Sequence, residues 1–313
     1  MPTKRTVVAI GGNAITRPNQ VGTIPEQYAN AEQTCRDLLP LVEESYDVVL
    51  THGNGPQVGN ILLRVELSQH QVYPLPLDVC VSDSQGGMGY MLQQVMQNVL
   101  RERGISKPVA TMLTQVVVDA GDPAFLEPNK PIGPFYTPER ARAMMAEKGW
   151  NMIEDAGRGF RRVVPSPRPL EIVEIEVIRK LVDGGVLVVT AGGGGIPVVR
   201  TGGRLSGVEA VIDKDLTSAL VASQIGADVL IIGTSVERVF LDFNQPTERP
   251  LDRLTLREAE AYLREGQFPP GSMGPKIEAA IHYLSEGGGE VVITDIASIG
   301  RALRGQTGTR IVA

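Results

Sequence analysis

Cysteine is almost absent from this chain. Two occur in 313 residues, Cys35 and Cys80, at no spacing that a metal site would use. That excludes a disulfide framework and fits a reducing cytoplasm. Histidine is equally scarce: His52, His70 and His282 are scattered, and none pairs with a cysteine at ligand spacing. No apolar run is long enough to cross a membrane, and residues 1 to 6 lack the apolar segment of a secretion signal, so no membrane partner is expected. Positive charge is not in surplus. A net charge of -6 speaks against a dedicated nucleic-acid binder. It leaves room for an anionic substrate, because a few lysines can dominate one cleft. Familiar catalytic signatures are missing too. There is no G-x-x-x-x-G-K-[ST], no kinase H-R-D or D-F-G set and no G-x-S-x-G elbow. Gly53-Asn-Gly55 is followed by Gly59, one residue too late for the dinucleotide fingerprint.

Glycine is what the chain has in excess: 35 residues, and they cluster. Val7-Val-Ala-Ile10 is a short apolar run ending in Gly11-Gly12-Asn13. Asp47-Val-Val-Leu-Thr51 ends in His52-Gly-Asn-Gly55, Val186 to Thr190 in Gly192 to Gly195, and Val229 to Ile232 in Gly233. Each pattern predicts a buried strand running into a tight loop. Between them, apolar residues at helical spacing predict helices over 26–46, after Pro56, from near Ser82 or Asp83, over Ile172 to Leu181, after Asp215, over Thr255 to Glu265 and after Lys276. Pro108 to Val118 predicts one strand region, and Glu290 to Thr294 and Arg310 to Val312 the last two strands. Strand, glycine turn, helix, repeated, is an α/β protein with a mainly parallel sheet covered by helices on both faces. Ligands in such folds bind beyond the carboxyl ends of the strands. The loops at 11, 53, 192 and 233 should therefore gather on one edge.

Residues 119 to 169 differ in character. Proline and glycine are frequent, and Asp155-Ala-Gly-Arg-Gly159 between two apolar stretches is a hairpin signal. This block reads as a small subdomain inserted into a single larger one and projecting from the sheet edge.

Charge concentrates at Asp213-Lys214-Asp215, just before a helix. A helix N-terminus attracts anions through free N–H groups and its dipole. By itself the triplet reads equally well as a capping aspartate beside a solvated lysine. Lys130 in the proline-rich insert and Lys276 at another helix start add two further cations. Glycine loops that bring backbone N–H groups close to a ligand, together with positioned lysines, are what a polyphosphate needs. His52 adjoins one such loop and reads as shaping it rather than as a base, since phosphoryl transfer rests mainly on positioning and charge stabilisation.

Six spaced segments carry a resemblance over nearly the whole chain. They are His52-Gly-Asn-Gly-Pro-Gln-Val-Gly59, Lys130-Pro-Ile-Gly-Pro-Phe-Tyr136, Arg161-Arg-Val-Val-Pro-Ser-Pro167, Gly192-Gly-Gly-Gly-Ile-Pro197, Gly207-Val-Glu-Ala-Val-Ile-Asp-Lys-Asp215 and Gly271-Ser-Met-Gly-Pro-Lys276. With Val7 to Ala14 and Gly305 to Thr309, the sequence resembles the carbamate kinases of the amino acid kinase family. The resemblance implies an open αβα sandwich with a protruding lid, a homodimer, and magnesium with ATP or ADP. It implies reversible transfer between ATP and carbamate, giving ADP and carbamoyl phosphate, in settings such as arginine breakdown. By motif, Gly11, Gly12 and Asn13 would cradle phosphates, and Gly53, Asn54 and Gly55 would meet the carbamate side. Lys130 would reach in from the lid. Lys214 and Lys276 would neutralise phosphoryl oxygens, with Asp215 orienting them. Separately, positions two apart on a helix point to different faces, so Asp213 is expected to cap or brace the turn rather than act as a pair with Asp215. Gly233, Met273 and Gly274 would lie along the nucleotide. No protein metal ligand is implied.

Ala9 departs from the wider family, where acetylglutamate kinases resemble one another in placing a lysine two residues before the first glycine pair. Lys130 is the replacement cation. Two alternatives stand beside this reading: a kinase of another small carboxylate, of acetylglutamate or aspartate type, and a catalytically silent nucleotide-binding regulator.

Overall fold

The structure, a computed structural model, describes residues 3–17, 20–154 and 159–313. The chain begins with β1 (Arg5–Ile10), α1 (Ile24–Glu43), β2 (Asp47–His52), α2 (Gly55–Ser68), α3 (Leu77–Glu102), β3 (Val109–Thr111) and β4 (Gln115–Val118). Next come β5 (Lys130–Tyr136), α4 (Pro138–Lys148), β6 (Asn151–Glu154), β7 (Phe160–Val164) and β8 (Pro169–Ile172). After these lie α5 (Ile175–Asp183), β9 (Leu187–Val189), β10 (Ile196–Thr201), β11 (Arg204–Gly207), α6 (Lys214–Ile225) and β12 (Val229–Thr234). The chain ends with β13 (Val239–Leu241), β14 (Arg249–Leu251), β15 (Arg253–Thr255), α7 (Leu256–Arg264), α8 (Met273–Ser285), β16 (Glu290–Asp295), α9 (Ile299–Leu303) and β17 (Thr309–Val312).

The main sheet has the order β15-β17-β16-β12-β1-β2-β9-β3. Its pairings are parallel except where β17 lies antiparallel to β16. Successive strand residues point to opposite faces, so each central strand feeds two cores. Val7, Val49 and Leu230 pack with α5 to α8, whereas Val8, Leu50 and Ile231 pack with α1, α3 and α9. Three consecutive strands, β1, β2 and β9, carry the glycine loops at Gly11, Gly53 and Gly192, whereas Gly233 is not in the expected loop: it is still a strand residue of the neighbouring β12, paired with Thr294. Gathering of those loops on one edge is thus a direct consequence of strand order. β1 connects to β2 on one side and only later to β12 on the other, which makes its carboxyl end a switch point.

Two smaller sheets frame that edge. β11-β10-β4-β8 lies beside it, and β5-β7-β6 forms a separate antiparallel sheet with α4. The strands flanking the expected hairpin do pair, Glu154 with Phe160, while residues 155–158 of its turn lie outside the described residues. A third apolar cluster, including Val58, Cys80, Val81, Ile132, Val164 and Val211, joins this sheet to α2 and α3.

Three expected boundaries move, each for a tertiary reason. α3 begins at Leu77, not near Ser82 or Asp83, and the Glu209 carboxylate accepts its first N–H at 2.8 Å. A cap supplied from 132 residues away leaves no local signal. The 108–118 region is two strands in different sheets, with Met112 to Thr114 crossing between them. Ile172 belongs to β8, paired with Val116, so the following helix starts only at Ile175. The β10–β11 hairpin turns on Gly202 and Gly203, with φ of +56° and +82°, a two-glycine pattern legible in the sequence.

Gly59 on α2 passes against Gly133 on β5 so closely that a Cβ would lie 2.3 Å from the Gly133 Cα. We expect Gly59→Ala to destabilise the chain by about 1–3 kcal/mol, the usual range for overpacking, despite alanine's better helix propensity. Urea unfolding midpoints of the two proteins check this; an unchanged or higher midpoint contradicts it.

Candidate active site

The first turn of α6 organises the cleft. Asp213 is its N-cap: Oδ1 accepts from the Asp215 N–H at 2.9 Å. Its other oxygen, Oδ2, accepts from Lys130 Nζ at 2.6 Å, across 83 residues of chain. Asp215, 3% exposed, receives Lys214 on one oxygen and Lys276 at 3.2 Å on the other. Three ammonium groups from β5, α6 and α8 therefore converge on two carboxylates. The group carries one net positive charge and stands where the helix dipole favours an anion.

Burial sets the titration behaviour. It pushes the Asp213 carboxyl up, but Lys130, through charge and hydrogen bond, and Lys214 outweigh it and bring the group down to about 2. Burial lowers the Lys214 ammonium, and Asp215 opposes that while Lys276 reinforces it. Burial also lowers His52 to about 4, so its ring is neutral near pH 7. Nδ1 of that ring lies 3.1 Å from the Gly53 carbonyl and donates to it.

Lys130, Lys214, Asp215, Lys276, Gly53, Asn54 and Gly55 all line one cleft, as does Asp213. Gly12 lies directly behind it, since a Cβ on Gly53 would sit 3.1 Å from the Gly12 nitrogen. Gly11 neighbours Gly233, with a built Cβ 3.6 Å from the Gly233 oxygen. Asn13 belongs to the same turn, but its side chain lies outside the described residues. Met273 lines a second, more apolar pocket that shares Ser272 with the first. Gly233 and Gly274 line neither. Gly233 leaves room for Ile296, and the Gly274 N–H donates to the Pro269 carbonyl at 3.0 Å.

Sequence reasoning missed that apolar pocket. Its wall includes Val236, Phe240, Phe243 and Phe268, brought together from β13 with its flanking loops and from the loop before α8. Nothing in the sequence marked it, because its aromatic side chains come from segments separated along the chain. The Lys130–Asp213 pair was missed as well, since nothing in either motif specifies the other.

A net cationic cluster at a helix start, beneath loops from three adjacent strands, defines an α/β protein that handles phosphoryl groups. The amino acid kinase family model matches residues 4–295. A carbamate kinase of Thermococcus kodakarensis is 48% identical over 313 residues, 99% of each chain. The carbamate kinase-like protein YahI of Escherichia coli is also 48% identical, over 98% of each. The solved carbamate kinase of Giardia lamblia bound to AMP-PNP superposes with a TM-score of 0.93 at 43% identity, covering 99% of each chain. The chain therefore belongs to the amino acid kinase family, among the carbamate kinases and their close relatives. It is a phosphotransferase.

Asp213→Asn separates the two roles of that residue, because asparagine caps as well as aspartate but carries no charge. A carboxyl lowered in the fold from 3.8 to about 2 contributes stability that is complete above about pH 4 and lost as pH falls through 2. The wild type should lose more stability than Asp213→Asn over that window, as read from unfolding midpoints at stepped pH. Parallel acid limbs would show that the pair contributes nothing.

Proposed function

We propose that this chain is a carbamate kinase, catalysing reversible phosphoryl transfer between ATP and carbamate to give ADP and carbamoyl phosphate. The observation that carries this is the cluster of three lysines on Asp213 and Asp215, with Lys130 supplying the cation that Ala9 does not. Full-length similarity to carbamate kinases supports the acceptor. Equal similarity to a carbamate kinase-like protein keeps acceptor choice worth testing directly.

Carbamate presents an anionic oxygen, so attack on the γ-phosphorus requires no general base. Neutral, buried His52 fits that: it holds the Gly53 carbonyl and so shapes the loop. Asn54 and the Gly53–Gly55 backbone face the acceptor, which is too small to offer an apolar handle. Gly11, Gly12 and Asn13 cradle phosphate oxygens with backbone N–H groups. Lys214 and Lys276 neutralise the transferring and leaving oxygens, and Asp215 keeps both ammonium groups in register. Lys130 arrives from the β5-β7-β6 unit, the proposed lid within residues 119–169, so closure completes the site as well as excluding water. The nucleotide's base lies in the apolar pocket beside Met273, between Phe240, Phe243 and Phe268. Gly233, near the end of β12, and Gly274, in the first turn of α8, lie along the nucleotide.

Magnesium is the proposed cofactor. Among the described residues no three carboxylate, histidine or cysteine side chains form a cage, and Asp213 and Asp215 are engaged by lysines. This donor set would suit an ion held mainly by the nucleotide's phosphates, whose negative charge it would offset. The proposed assembly is a homodimer. It would cover apolar surface such as Tyr73 and Tyr90, which are 81% and 60% exposed. Both cysteines are free and buried, consistent with a cytoplasmic setting, and arginine breakdown would run the reaction toward ATP.

ATP formation from carbamoyl phosphate and ADP tests the proposal. Activity should vanish with chelator and return with magnesium. Lys130→Ala, Lys214→Ala and Lys276→Ala should each lower kcat at least about 100-fold, the scale on which one lost charge-stabilising donor acts. Turnover of amino-acid acceptors but not of carbamate would replace this reading with the acetylglutamate type. Inactivity under every metal condition would favour the silent regulator.

A further inference from the structure

The acceptor end of the cleft is where two loops meet, Gly53–Gly55 after β2 and Gly192–Gly195 after β9. Their approach is close: a Cβ on Gly193 would lie 2.1 Å from Asn54 Nδ2, and one on Gly192 2.4 Å from His52 Nε2. The second loop is entered through Ala191 at φ +50°, a conformation costing a non-glycine residue about 1–2 kcal/mol. Something outside both loops must hold this arrangement.

Ser84 and Gln85, consecutive on α3 and each 2% exposed, do so. Gln85 Nε2 donates to the Gly192 carbonyl at 3.0 Å and to the Thr114 carbonyl at 3.2 Å, and its Oε1 accepts from the Thr114 N–H at 2.9 Å. Thr114 Oγ1 in turn accepts from the Ala191 N–H at 3.0 Å. Ser84 Oγ lies 2.6 Å from the Val81 carbonyl and 2.8 Å from Asn54 Nδ2. Two oxygens at 2.6 Å require a hydrogen between them, and the serine has only one. Its hydroxyl can therefore only accept from Asn54. That orients the carboxamide with its NH2 end toward α3 and leaves Oδ1, an acceptor, for a ligand in the cleft that Asn54 lines.

We propose that Ser84 is a specificity-determining positioning residue, with Gln85 setting the facing loop. By locking the Asn54 amide it presents Oδ1 to an N–H of the acceptor, and so selects a carbamoyl group over the isosteric acetyl group, which has a methyl there. A site built to pair with an N–H discriminates against analogues that lack it. This inference rests on reading the cleft as the carbamoyl phosphate site.

The test compares carbamoyl phosphate with acetyl phosphate as phosphoryl donors to ADP, in the wild type and in Ser84→Ala. The ratio of kcat/KM values should favour carbamoyl phosphate in the wild type and fall about tenfold or more in Ser84→Ala, on the scale of one lost buried hydrogen bond. The loss should lie in the KM of carbamoyl phosphate, with the KM of ADP within about twofold, because Asn54 faces the acceptor and not the nucleotide. Ser84→Thr, which keeps the hydroxyl, should restore the ratio. Should Ser84→Ala not fold, Ser84→Cys, a near-isostere and weak hydrogen-bonding group, reads the same quantity. An unchanged ratio, or equal losses with both donors, overturns the proposal. ATP formation by the wild type from carbamoyl phosphate tests the function separately. A wild type that makes ATP equally well from both phosphates keeps phosphotransfer and sinks the role of Ser84.

Discussion

Two carboxylates at the first turn of α6 hold three ammonium groups, and the rest of the site depends on that arrangement. Lys214 and Asp215 lie almost out of solvent, at 13% and 4% side-chain exposure. An unpaired charge so placed is costly, because the interior replaces little of its lost hydration. Pairing offsets part of that penalty while leaving one positive charge in excess. The excess is what an anionic nucleotide and a phosphoryl acceptor require. Asp213 adds a second function to capping: it draws Lys130 in from a different sheet, so the cation that completes the cluster is placed by the same carboxylate that starts the helix.

Around this core the fold contributes position rather than chemistry. Strand order puts three glycine loops side by side, and glycine permits the loops to pass within contact of one another. The loops do not hold themselves. Thr217 Oγ1 donates to the Gly194 carbonyl at 2.9 Å, and Thr51 and Ser218 share a hydrogen bond at 2.6 Å. Together with Ser84, Gln85 and Thr114 these form a buried polar framework that ties α3, α6 and β2 to the glycine loops. Buried polar groups are expensive unless satisfied, and once satisfied they specify one arrangement. That is the property a site working by positioning needs.

Much of this was legible in the chain before any coordinates. Short apolar runs ending in glycine predict parallel strands with loops at one edge, and both features are present. Long stripes such as Met88 to Leu100 on α3 are buried as their spacing implies. Motif resemblance pointed to Lys130, Lys214, Asp215 and Lys276, which line one cleft. Boundaries fared worse where the deciding partner is distant, as with the Glu209 cap on α3 and the β4 pairing that holds Ile172 in a strand. Ser84 and Gln85 carried no signal in the sequence, because a helix expected to begin near Ser82 or Asp83 would place them in an ordinary polar first turn; only the start at Leu77 puts them on the buried face.

The sequence by itself determined which residue types exist to do the work: glycines at strand ends and lysines at helix starts. Those are local facts, set by backbone geometry and side-chain chemistry. Tertiary structure alone decided the pairings: Lys130 with Asp213, Lys276 with Asp215, Ser84 with Asn54, and the aromatic pocket beside Met273. The physical reason is range. A hydrogen bond or ion pair acts over a few ångströms, and only the folded sheet brings groups so far apart in sequence within that distance.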